Sequence, residues 1–76
     1  MFEFIQKLKE ENAFKKQIEN NLDRYIKECR VADKAHEEET RKRLMDYIDE
    51  VDAMCAAKGK KYSEWLTYTI SIKIRR

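Results

Sequence analysis

The sequence predicts a mainly α protein: two long amphipathic helices forming an antiparallel hairpin, with a C-terminal β-strand or short third helix. Three observations lead there. The 76-residue chain has no Pro, one Gly and 42% charged residues, a composition suited to long solvated helices. Apolar residues recur every three or four positions in two separate stretches, the period of a helix face. Residues 66–74 break that rule and alternate instead.

The first helix is expected over about residues 3–30. Met1, Phe4, Leu8, Ile18, Leu22, Tyr25 and Cys29 form a seam, interrupted by Glu11 and Lys15 and widened by Ile5 and Ile26. Glu3–Lys7, Glu11–Lys15 and Asp23–Lys27 place the acid four residues before the base, the better order in a helix. Asn12, Asn20 and Asn21 are mediocre helix formers and mark weak points.

A polar turn is expected at about 31–36 and a second helix at about 37–58. Three acid-first pairs support its start: Glu37–Arg41, Glu38–Lys42 and Glu39–Arg43. Its seam is Leu44, Ile48, Val51 and Cys55, flanked by Met45, Tyr47 and Met54. Extending the first seam would bury Arg43 and Asp46, so the two seams are out of phase. That shift favours a hairpin over one continuous rod in an intermolecular coiled coil, with Asp33 as N-cap. The second helix should stop at Gly59, where Lys58, Lys60 and Lys61 suit the negative end of the helix dipole. An antiparallel return would gather Phe2, Phe4, Ile5, Leu8 and Phe14 with Met54, Tyr62 and Trp65 at one end.

The tail, about 62–75, is read in two ways. Leu66, Tyr68, Ile70, Ile72 and Ile74 alternate with Thr67, Thr69, Ser71 and Lys73, which favours a strand. Its N–H and C=O groups would need partners. MFEFI is short, so a second copy paired about Ile70, or a foreign sheet edge, would supply them. As a helix the tail shows a stripe of Tyr62, Trp65, Leu66, Ile70 and Ile74, capped by Ser63, and leaves Tyr68 and Ile72 exposed.

Chemistry is sparse. His36 is the only histidine, and on one helix Cys29 would stand about 10 Å of rise from it, too far for a nucleophile–base pair. A zinc set of Cys29, Asp33, His36 and Cys55 is separated by the hairpin, with Cys55 about 30 Å from the turn. The same separation argues against a disulfide. Asp46, Asp49, Glu50 and Asp52 are read as a solvated face. No enzyme, metal site or cofactor is expected.

Charge is uneven. Residues 1–57 carry 11 Lys and Arg against 14 Asp and Glu, whereas residues 58–76 carry 6 against 1. GKKYSEWLTYTI (59–70) resembles the start of the second helix of ribbon–helix–helix repressors over about a dozen residues. Those proteins read bases with a strand before their first helix. ADKAHEEET (32–40) stands in that place, acidic and without alternation, so no function is carried over.

The expectation is therefore a non-enzymatic protein-interaction module. It would be a small regulator, adaptor or inhibitor of a larger protein or assembly, of a size and charge that fit phage or mobile-element proteins. Trp65, Leu66, Tyr68, Ile70 and Ile72 are the expected contact surface, with a homodimer as one form. The alternative is nucleic-acid binding through Lys58, Lys60, Lys61, Lys73, Arg75 and Arg76. No apolar run reaches the roughly 20 residues of a membrane span. The N-terminus has glutamates among its apolar residues and no small-residue cleavage site. With two cysteines the expected location is cytoplasmic.

Overall fold

The computed structural model describes residues 2–75, without the side chains of Phe2 and Phe4. Three helices follow one another: α1 (Phe2–Val31), α2 (Glu37–Lys58) and α3 (Lys60–Arg75). They form an up–down–up bundle with extents of 53 × 18 × 18 Å. The expected two-helix hairpin is thus replaced by a three-helix bundle. No strand occurs among the described residues.

The helical tail corrects the strand reading, and the reason is energetic. Thr67, Thr69, Ile70, Ile72 and Ile74 lower the helix propensity of α3 by about 2–3 kcal/mol together relative to Ala. Against that, a helix satisfies its own main chain and swings Leu66 (1% exposed) and Thr69 (8%) into the bundle. Burying one leucine is worth about 2–3 kcal/mol, and Tyr62, Trp65 and Ile70 pack against the same core. A strand would have lined up Leu66 with Tyr68 and left both needing a partner sheet.

Ile18, Leu22, Val51, Cys55 and Leu66 are the buried centre, drawn from all three helices. The first seam from Ile18 on and the second seam from Leu44 to Cys55 therefore point inward, and α3 supplies the third wall. Asn21 does not weaken α1: its Nδ2 donates to the Tyr47 hydroxyl at 3.0 Å. The Tyr25 and Tyr47 rings stack with centroids 4.9 Å apart.

The α1–α2 turn falls where the phase shift placed it. Asp33 Oδ1 accepts from the His36 main-chain N–H at 3.0 Å and lies 2.7 Å from His36 Nδ1. Asp33 thus holds the turn, while His36 is the residue before the first turn of α2. Glu37–Arg41 and Glu39–Arg43 pair at 2.9 Å each. At the other turn, Gly59 N–H donates to Cys55 C=O, and Gly59 C=O accepts from Tyr62 N–H. One glycine with φ 134° and ψ 168° therefore ends α2 and starts α3, a region of backbone space almost closed to other residues. Ser63 lies inside the first turn of α3 instead of capping it.

Lateral contacts set the register. Lys73 Nζ reaches Asp23 Oδ1 at 2.6 Å, and Lys15 Nζ lies 5.5 Å from the Trp65 ring centroid. A residue of α3 thus stands level with the α1 residue fifty positions earlier. Position 10 is therefore level with Lys60, and the start of α1 projects past the bundle. Ile5 (52% exposed) and Leu8 (43%) lie on this overhang. Of the expected aromatic cluster only part forms: Phe14 meets Tyr62 edge-on at 5.9 Å. Ile5 and Leu8 stay outside it, and the side chains of Phe2 and Phe4 lie outside the described residues.

Candidate functional site: the groove between α1 and α3

Because α3 is a helix, its apolar residues divide between two faces. Leu66 is core, and Ile70 is half-buried against it. Leu66 is therefore closed to a partner, which corrects the expected contact surface at that position. Trp65 is half-buried, Ile72 is 37% exposed and Tyr68 is 68% exposed. These three line a groove of about 240 Å³ with Glu19, Thr69 and Lys73.

The groove walls are held by identifiable contacts. Lys15 lies over the rings of Tyr62 and Trp65, at 5.6 and 5.5 Å, a cation–π arrangement that fixes the indole against α1. Lys73, whose side chain is only 13% exposed, is tied to Asp23. The Arg30 guanidinium donates to the Lys73 main-chain carbonyl at 3.5 Å, which suits the negative C-terminal end of α3. The acid-first pairs predicted at Glu11–Lys15 and Asp23–Lys27 thus give way to contacts between helices. Glu19, the groove's acid, carries no signal in the sequence, because nothing local marks a residue that will face a helix fifty positions away.

The described residues of the basic set do not form one surface. Lys58, Lys60 and Lys61 sit at the α2–α3 turn, whereas Lys73 and Arg75 stand about 20 Å away at the other end of α3. Lys58 Nζ lies 4.5 Å from the Phe14 ring centroid, and Lys60 is 4.0 Å from Glu64. Lys61 and Arg75 are exposed, and Arg76 lies outside the described residues.

Two other groups bear on reactivity. Asp33 and His36 have the geometry of an orienting carboxylate and a base, and Thr40 is one turn on. The Thr40 hydroxyl, however, donates to the main-chain carbonyls of His36 and Glu37, so it is spent on the helix start. Cys55 is fully enclosed; burial, then the charge of Asp52, pushes its thiol pKa up, against an opposing effect of Lys58. Burial and the Glu11 carboxylate likewise push the Tyr62 hydroxyl up. Among the described residues, three or more metal-ligating side chains nowhere gather at one place. No described helix is long and apolar enough to cross a membrane.

No protein-family model, curated protein or solved structure matches this chain.

Proposed function

We propose that this chain is a non-enzymatic protein-interaction module, a small regulator or adaptor that receives an apolar helical segment of another polypeptide in the α1–α3 groove. One observation carries the reading: Tyr68 is 68% exposed and Ile72 37% exposed, side by side with Trp65 along one groove. An aromatic side chain that exposed on a helix is not needed for this protein's own core. Tyrosine and tryptophan at the edge of a groove are the side chains that anchor protein contacts. Spacing of three and four residues between the anchors matches helix-in-groove recognition.

Nucleic-acid binding is the weaker reading. Lys73 is committed to Asp23 and Lys58 to the Phe14 and Tyr62 rings, so the described part of the tail offers no continuous basic stripe for a phosphate backbone.

Site-specific photocrosslinking tests the proposal. Benzoylphenylalanine replaces Tyr68 in one variant and Ala53, exposed on α2, in another, in the cell that makes the chain. Crosslinks to a second polypeptide from position 68 and not from 53 are expected. Their absence at 68, or equal yields at both positions, overturns the reading.

A further inference from the structure

The face that carries the groove also carries the overhang. Ile5 lies fourteen residues before Glu19, and Leu8 seven before Lys15, so both project on the side of α1 that faces α3. Exposed Ile5 and Leu8 and the groove residues Trp65, Tyr68 and Ile72 thus form one strip about 25 Å long. The overhang cannot fill its own groove, since both belong to the same unbroken helix.

We infer that the occupant of the groove is the overhang of a second copy, in a twofold antiparallel dimer with each overhang lying in the other's groove. This rests on reading the groove as a docking site and names its partner. A dyad level with residues 12 and 13 brings both insertions into register at once. Ile5 of one copy then falls between Tyr68 and Ile72 of the other, and Leu8 between Trp65 and Tyr68. Such self-complementarity is what an isologous interface requires. The charges agree with it. Lys9, on the rim of the inserted overhang, arrives within one turn of Glu19, the acid that lines the groove. Exposed Asn12 meets its own mate near the dyad, where a polar pair fixes register between helices. Two insertions of this length cover on the order of 1,000 Å², the lower edge of specific interfaces. A dimer at that lower edge should form at high concentration and dissociate on dilution.

Sedimentation velocity on the purified chain, from low micromolar to near-millimolar concentration, tests this together with two variants. Ile5→Glu/Leu8→Glu removes the overhang's apolar face outside the bundle core, and Tyr68→Glu/Ile72→Glu removes the groove's. The parent chain should pass from monomer to dimer, and each variant should stay monomeric. An equimolar mixture of the two should dimerise again, more weakly, because one insertion remains intact. A parent chain that is monomeric throughout, or a dimer that survives Ile5→Glu/Leu8→Glu, overturns the inference. If the groove variant fails to fold, the overhang variant alone decides. A monomeric parent that still crosslinks to a foreign polypeptide through position 68 would sink this inference and leave the groove reading standing. No crosslink at 68 removes both.

Discussion

Replacing Leu66 with Ala tests the placement of the tail most directly. Leu66 is 1% exposed and touches the core formed by Ile18, Leu22, Val51 and Cys55. Three carbon groups leave the interior, worth about 2.4 kcal/mol at roughly 0.8 kcal/mol each. The unfilled space adds to this, so the loss should be about 3 kcal/mol. A chain of 76 residues has about 4–11 kcal/mol of stability in total, so the effect is large. With a urea m-value of about 1 kcal/mol/M, the unfolding midpoint should fall by about 3 M with the slope unchanged. Tyr68→Ser, at a position 68% exposed, should move stability by no more than about 0.5 kcal/mol. Urea titrations followed by circular dichroism, at a concentration where sedimentation shows the monomer, measure both. A strand places Leu66 and Tyr68 on one face, whereas the helix separates them. Equal losses at 66 and 68, or a larger loss at 68, would refute the helical assignment and the groove built on it.

Other perturbations probe the turns, the helix contacts and the titrating groups. Gly59→Ala meets nothing within 4 Å of the added carbon. Its cost should therefore be purely conformational, about 1–3 kcal/mol, in the same urea assay; no loss would mean that the turn relaxes. A double-mutant cycle of Asp23→Asn and Lys73→Met should give a coupling below about 1 kcal/mol, since Asp23 is 60% exposed. It should still exceed the cycle at Glu39 and Arg43, where both partners are 59% exposed. Cys55 and Tyr62 both have pKa values raised by folding, from 9.0 and 10.0. Their contribution is complete below those values and is lost as pH rises through the higher folded-state values. Thermal unfolding from pH 7 to 11 should therefore show stability falling above about pH 9; stability rising there would contradict the burial of both groups.

The reading of α3 shows where local pattern misleads. KKYSEWLTYTISIKIRR alternates because Leu66, Tyr68, Ile70, Ile72 and Ile74 fall on every second position, which is also what a strand needs. It carries a second, helical stripe at the same time, and the two cannot be told apart until something exists for one of them to pack against. The bundle supplies a third side that only a helix can fill, so burial of Leu66 and Thr69 outweighs propensity. The groove was half legible for the same reason. The apolar pattern of the tail marks Tyr68 and Ile72, and the structure leaves them open. The same pattern marks Leu66 and Ile70, and the helical twist turns Leu66 into the core and Ile70 against it. Glu19 gave no local signal at all.

By itself the sequence determined the helices of the first 58 residues, the turn near Asp33 and the stop at Gly59. Period, phase and breakers act over a few residues and are written in order along the chain. Only the tertiary structure decided that the tail is a helix, that Lys73 belongs to Asp23, and that the start of α1 stands clear of the bundle beside a groove. Those outcomes depend on which surfaces meet across some fifty residues of chain. The free energy that settles them comes from water excluded between surfaces far apart in sequence.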